Sequence, residues 1–191
     1  MRKLVALEHV TADGYVSSGQ GMGFEWTFRA YSDELAAYGD EHIRADVDTA
    51  VYGRATYLGM YEYWSGLPTA ETSGHERAHA EWVNAVDKIV CSTTLEAAEW
   101  QNTRLIRGDL ADEFAALKAR PGGTMSIYAS PKLVHSCLQL GLIDEFRIIV
   151  HPVVIGSGTP LFPDKSALEL DLVESKSFES GAVYLRYRVE R

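Results

Sequence analysis

Residues 75–79 read His75-Glu76-Arg77-Ala78-His79, an H-E-x-x-H spacing. On a helix, two imidazoles four residues apart share one face and could hold a zinc ion while Glu76 deprotonates a bound water. The rest of such a site is missing. The extended motif wants glycine at 82 and histidine at 85, where Trp82 and Ala85 stand, and Arg77 sets a cation beside the base. A zinc metallohydrolase is therefore the remote alternative, and no metal site is expected. The same residues read more simply as a short exposed helix with Trp82 turned inward, its two histidines near the mouth of a pocket.

A second set of chemistry-bearing residues recurs rather than standing alone. Gly53-Arg54-Ala55-Thr56, Ser92-Thr93-Thr94 and Ala129-Ser130-Pro131 each follow a short apolar run and lead into a helix or turn. Backbone N–H groups, hydroxyls and helix dipoles converging on one edge, with Arg54 as a cation, would suit a nucleotide's phosphates. Taken singly, each is equally an ordinary helix cap. Their repetition at three strand ends favours a phosphate site.

The elements that must position these groups follow from patterning. A first strand is expected over residues 3–8, then an Asp13-Gly14 turn and a glycine-rich loop over 14–23. Ser32 caps a helix running to about residue 45, with Asp33 and Glu34 in its first turn. Short apolar strands follow at 49–52, 88–91, 104–106 and 125–128, with a helix from 54 to about 61 after the first. Leu110, Phe114 and Leu117 make one buried helical stripe. Ser130 reads as an N-cap with Pro131 at the first helical position, and Gly141 as the stop. After it come a long strand over 145–155 and a hairpin, 168–178 with 182–189, around Ser180-Gly181. Strands alternating with helices and then strands alone predict an α/β fold. Its central sheet is mixed, mostly parallel and flanked by helices, with a C-terminal antiparallel hairpin. Ligands of such sheets bind at the carboxyl ends of the parallel strands.

Composition narrows the partners. The 27 acidic residues outnumber the 18 basic ones for a net charge of −9, which argues against nucleic acid. No apolar run is long enough to span a membrane or serve as a signal core, so a cytoplasmic protein without membrane partners is expected. Cys91 and Cys137 both sit in apolar patterns and read as small buried hydrophobes.

Six landmarks in order carry a resemblance. They are Thr11-Ala12-Asp13-Gly14-Tyr15-Val16; Tyr52-Gly53-Arg54-Ala55-Thr56-Tyr57; Lys88-Ile89-Val90-Cys91-Ser92-Thr93-Thr94-Leu95; Ile127-Tyr128-Ala129-Ser130-Pro131-Lys132-Leu133; Leu142-Ile143-Asp144-Glu145-Phe146; and the stretch from His151-Pro152 through Gly156-Ser157-Gly158 to Leu161-Phe162. Over almost its whole length the chain resembles the dihydrofolate-reductase-like proteins related to the C-terminal reductase domain of bacterial bifunctional riboflavin biosynthesis enzymes. The resemblance implies one dihydrofolate-reductase-like domain over 1–191 and NADPH as cofactor, with NADH as the alternative. It also implies hydride transfer to a small heterocycle, a pterin or the ribosylaminouracil of riboflavin synthesis. Gly53, Arg54 and Thr56 would contact the adenosine phosphate and pyrophosphate, Ser92 and Thr93 the ribose phosphate. Ala129, Ser130 and Pro131 would border the pyrophosphate, and the Asp13-Gly14 loop would lie beside nicotinamide and substrate. Relatives commonly form homodimers. The apolar strand around Ile148 to Ile155 could supply an interface, although burial within the sheet explains it equally.

Two departures stand out. Relatives often carry arginine where Thr93 stands, so a cation for a 2′-phosphate is missing and Arg54 must carry more of that task. They usually carry glycine where Ala129 stands, and a Cβ there restricts the approach of a pyrophosphate. A relative that keeps the fold for binding or structure without a cofactor is the alternative these departures raise. Asp13 is the candidate catalytic acid, in competition with a plain turn role. Asp33, Glu34 and Asp40 match the first-helix carboxylate of dihydrofolate reductases only in region. Gly14, Tyr15, Trp26 and Tyr57 are the candidate substrate pocket, with Trp64 as a further aromatic. His151 reads as a buried structural histidine.

Overall fold

In a computed structural model of the chain, residues 1–19, 23–72, 74–163 and 167–190 are described. Residues 20–22 of the glycine-rich loop and Ser73 lie outside them. Eight strands form one sheet: β1 (Leu4–Thr11), β3 (Val47–Gly53), β4 (Asp87–Cys91), β5 (Thr103–Ile106), β6 (Thr124–Tyr128), β7 (Glu145–His151), β9 (Leu170–Ser177) and β10 (Val183–Val189). Their order is β5-β4-β3-β6-β1-β7-β10-β9. Six run parallel, and β10 is antiparallel to both neighbours, which makes the expected hairpin. A small second ladder pairs β2 (Tyr15–Ser17) with β8 (Thr159–Pro160). The fold is α/β, with the mixed, mostly parallel sheet and C-terminal hairpin that the sequence predicts.

β1 explains why strand ends matter here. All its residues but His9 are buried, since β6 and β7 flank it and helices cover both faces. Its even-numbered side chains Leu4 and Ala6 join one core with Ile127, Phe114 and Val134. Leu7 joins a second core on the opposite face with Tyr52, Val83, Ile149 and Tyr184. The chain runs β3, β4, β5 outward and then returns to lay β6 on the other side of β3. Such a reversal leaves a crevice at the carboxyl ends, here between Gly53 and Tyr128.

The helices are α1 (Asp33–Tyr38), α2 (Arg54–Trp64), α3 (Gly74–Ala85), α4 (Leu110–Lys118) and α5 (Pro131–Gln139). In α4 the expected stripe is the packed face: Phe114 is fully buried, worth about 2–3 kcal/mol of apolar transfer. Asp109 caps it by accepting from Ala111 and Asp112 N–H. α5 ends as its sequence predicts. Gly141, at φ 63°, donates to Leu138 O, and Leu142 donates to Cys137 O, which together satisfy the last carbonyls.

Several boundaries differ from expectation, each for a physical reason. β1 runs to Thr11, because pairing with β7 continues to His151. The Ser32-capped helix keeps its cap bond to Leu35 N–H (3.2 Å) but stops at Tyr38, where a wider turn, Gly39–Ile43, follows. That turn is tied down by Arg147, which donates to Ile43 O and to both Asp46 oxygens (2.7 and 2.9 Å). β7 ends at His151 rather than at 155, because Pro152 has no N–H to continue the ladder. β7 is interior, with Ile148 and Ile149 buried between β1 and β10, so it is not an open interface strand. Among the described residues no helix is long and apolar enough to cross a membrane.

Candidate active site

β3 ends at Gly53 and α2 begins at once, with extended backbone at Gly53 and no side chain capping the first turn. At α5, too, no side chain caps the first turn: Ser130 occupies the cap position but bonds none of that helix's N–H groups. This corrects the expected capping role. Ser130 Oγ instead accepts from Gly53 N–H (3.0 Å) and donates to Tyr128 O (2.7 Å), which couples the ends of β3 and β6. Thr56 Oγ1 makes a second tie by donating to Ala129 O (2.6 Å). Two helix N-termini whose first turns no side chain caps among the described residues therefore lie side by side at the crevice.

A cleft of about 340 Å³ opens there. Gly53, Arg54, Ser92 and Thr93 line it, whereas Thr56, Ala129, Ser130 and Pro131 lie outside its lining. Ser92 Oγ accepts from Thr94 and Leu95 N–H, so it shapes the turn after β4. Arg54, at the start of α2, donates to Thr94 Oγ1 (3.1 Å). Ala129 has φ 40°, the left-handed region that disfavours a Cβ, and is exposed.

Two lining cations escaped the sequence reading: Arg107 and Lys132. Arg107 follows β5, and its guanidinium donates to Leu95 O (2.6 Å) and Glu96 O (2.7 Å). The signal was visible, since Ile106-Arg107-Gly108-Asp109 is a fourth strand end leading into a helix. With three cations and two uncapped helix starts, the donor set fits a polyanionic cofactor.

The opposite side of β1 carries a different chemistry. Leu7 pairs with Tyr128, so His9 projects just past the end of β6, on the face covered by α1. His9 Nδ1 lies 2.8 Å from Nε2 of fully buried His151, and Trp26 packs edge-on against His151 (5.3 Å). Burial, with His151 adding to it, pulls the His9 pKa down to about 3, and burial pulls His151 down to about 4. Both imidazoles are neutral near pH 7. On the other face, Glu8 is buried and accepts from Ser130 N–H (3.2 Å), and burial pushes its carboxyl up to about 8. Neither Glu8 nor His9 stood out in sequence, because each lies inside an apolar strand.

The remaining expected residues divide. Tyr15, at the start of β2, and Trp26, in a short helical turn over Glu25–Ala30, are half-buried, and Gly14 takes φ 86° in the turn between β1 and β2. Tyr57 is a correction: it is buried, and its hydroxyl accepts from Trp100 N–H (2.8 Å), so it packs the core and cannot meet a substrate. Asp13 is the other. Its carboxylate accepts from Gly156 N–H (2.8 Å) and Ile155 N–H (3.4 Å), and its pKa is lowered by the Thr11 hydroxyl and these bonds. A carboxyl so held is ionised near neutral pH and fastens the 155–156 turn, so it holds no proton to donate there. On α1 and its turn, Glu34 binds Lys176 and Glu179 N–H, and Asp40 pairs with Arg44 and His75.

His75 and His79 do lie on a helix, α3, but away from the cleft lining. His79 packs at a tilt against Trp64 (centroids 4.6 Å apart) and Trp82 (5.7 Å), and burial, aided by Arg44, holds its pKa at about 3. Glu76 accepts from the Tyr63 hydroxyl, and Arg77 donates to Thr72 O and Thr69 O. The motif residues are thus engaged in packing α3. Among the described residues no three His, Cys, Asp or Glu side chains are grouped to hold a metal. Cys91 is half-buried and Cys137 buried, and both are free thiols.

The family model described as the RibD C-terminal domain matches residues 2–184. A relative is YyaP of Bacillus subtilis (strain 168), uncharacterized, 30% identical and covering 97% of this chain and 94% of its own. A putative riboflavin biosynthesis protein from Shewanella sp. PV-4 has a similar structure at TM-score 0.78 and 21% identity, covering 99% of both chains. A dihydrofolate reductase from Enterococcus faecalis, solved as a complex with NADP(H), matches at TM-score 0.60 and 16% identity, covering 99% of this chain and 97% of that one.

Proposed function

This chain belongs to the RibD C-terminal domain family, a family of reductases, and from that membership we propose that it is an NADPH-dependent oxidoreductase acting on a small heterocycle of the pterin or ribosylaminouracil kind. The observation that carries the reading is the meeting of Arg54, Arg107 and Lys132 with the uncapped starts of α2 and α5 around one cleft. The Enterococcus faecalis relative in fold was solved with NADP(H), which supports the same cofactor class here. Bound in the cleft, NADPH supplies the hydride.

The chain's own contribution is to bind and orient. N–H groups of the two helix starts and the three cations neutralise phosphate charge, each bond to a charged group being worth about 1.5–3 kcal/mol. Arg107 supplies the cation that Thr93 does not, so preference for a 2′-phosphate rests on Arg107 and Arg54 together. Glu8, neutral near pH 7, keeps a negative charge away from the strand ends where phosphates bind.

Titration of the purified protein with NADPH and NADH, followed by nicotinamide fluorescence, tests this. NADPH should saturate and bind more tightly than NADH. Arg107→Ala should weaken NADPH about tenfold and leave NADH nearly unchanged. Saturable binding of neither would overturn hydride chemistry and leave the cofactor-free binding protein, the reading that the Ala129 Cβ at φ 40° favours.

A further inference from the structure

Glu8 is 2% exposed on an interior strand, on the face of β1 that carries Leu4, Ala6 and Val10. Among the described residues its carboxyl has one hydrogen-bond partner, Ser130 N–H at 3.2 Å. No cation lies against it. Ile148 of β7 is its neighbour on one side and, past Tyr128, Ala129 on the other, while Tyr128 itself belongs to the opposite core. α5 covers this face. Its ionisable side chains are Lys132, which lines the cleft, His135, which bonds Pro160 O and Leu161 O, and Cys137, a thiol that burial pushes up to about 12. A carboxylate buried beside one donor and no cation regains little of its lost hydration, so Glu8 is held as the neutral acid.

That carboxyl is two hydrogen bonds from the cleft. Ser130, which gives it an N–H, accepts from Gly53 N–H at 3.0 Å, and Gly53 lines the cleft with Lys132 and Leu133 of the helix that Ser130 precedes. We propose that Glu8 is a positioning residue of the cofactor cleft and that its proton controls phosphate affinity. Neutral, it leaves Lys132 and the two helix starts to the ligand. Ionised, it sets a negative charge beside the start of α5 and opposes the ligand's own. This rests on the reductase reading and deepens it by naming how the cofactor site is regulated. A buried charge is screened far less than a surface one, so it acts across the short distance to the cleft wall. Glu8 touches no ligand and acts through Ser130. The coupling is reciprocal: a bound polyanion holds the proton on Glu8, and binding at alkaline pH takes a proton up.

NADPH binding to the full chain, followed by nicotinamide fluorescence from about pH 7.5 to about pH 9.5 at constant ionic strength, reads this out, since the 2′-phosphate is ionised throughout. Cys91 in the cleft lining stays a thiol over that range, because burial pushes it up to about 12. Lys88, brought down to about 8 by burial, bonds the Asn84, Val86 and Gln101 carbonyls near the start of β4, at the end away from the cleft. It is common to both proteins compared. The wild type should lose affinity about tenfold across the range, and Glu8→Gln, which fixes the neutral form, should keep its affinity throughout. In ¹³C spectra of glutamate-labelled protein, the Glu8 carboxyl should titrate near the value of about 8 that burial gives it, and higher with NADPH bound. A Glu8 carboxyl titrating in the ordinary carboxylate range, or the same loss of affinity in Glu8→Gln, would overturn the proposal. Saturable binding that is flat with pH in the wild type overturns this proposal alone; no saturable binding at any pH overturns the reductase reading and this proposal with it.

Discussion

The backbone N–H of Gly53 donates to the hydroxyl of Ser130 at 3.0 Å, across 77 positions of sequence, and this bond joins the starts of two helices at one crevice. Ser130 thereby gives up the capping bond that its position would allow, and the first turns of α2 and α5 keep their N–H groups for a ligand.

Ser130→Ala removes the acceptor and leaves Gly53 N–H without its partner. Denaturant unfolding should register a loss of about 1–2 kcal/mol, and NADPH should bind more weakly as the two helix starts lose register. Ser136→Ala is the control. Ser136 lines the same cleft but bonds Lys132 O within its own helix, so its loss should stay within about 0.5 kcal/mol.

Ala129→Gly tests strain at φ 40°. The left-handed conformation costs a non-glycine residue about 1–2 kcal/mol, and glycine's extra freedom in the unfolded chain offsets about 0.5–1 of that. Stability should therefore rise by up to about 1 kcal/mol, where an ordinary Ala→Gly change lowers it, and NADPH affinity should increase with the Cβ gone. A fall in thermal midpoint would mean that the position carries no strain.

Glu8 gives a pH dependence of defined sign. Its folded pKa of about 8 lies above the usual 4.5, so the native protein holds a proton that the unfolded chain releases. The stabilisation is present below about pH 4.5 and is lost as pH rises through about 8. Urea unfolding at about pH 5 and about pH 9 should show the wild type losing stability over this window, while Glu8→Gln, which stays neutral, loses much less. Equal slopes in the two proteins would rule Glu8 out as the cause.

The strands and helices were legible wherever a local pattern caused them. Leu110, Phe114 and Leu117 fall on one helical face, Ser32 accepts from a first-turn N–H group, and Gly141 takes the conformation that ends α5. The limits of β7 and of α1 were less legible. They depend on Pro152 meeting a ladder and on Arg147 reaching Asp46 over 101 positions, and no local window contains both partners.

For the site the division is similar. Sequence alone determined that polar groups at Gly53, Ser92 and Ser130 recur at strand ends, because the strand–turn–helix rhythm is local and the chain must place them at one edge of a parallel sheet. Only the tertiary structure decided what each residue does there. Arg107 joined the cleft because β5 lies beside β4, Tyr57 left it because its hydroxyl meets Trp100, and Asp13 was spent on the 155–156 turn. His9 and Glu8 are neighbours in sequence yet face opposite sides of β1, one toward His151 and one toward Ser130. A strand alternates its side chains by geometry. What waits on each side is set by elements more than a hundred residues away, and burial by those elements is what shifts both titrating groups.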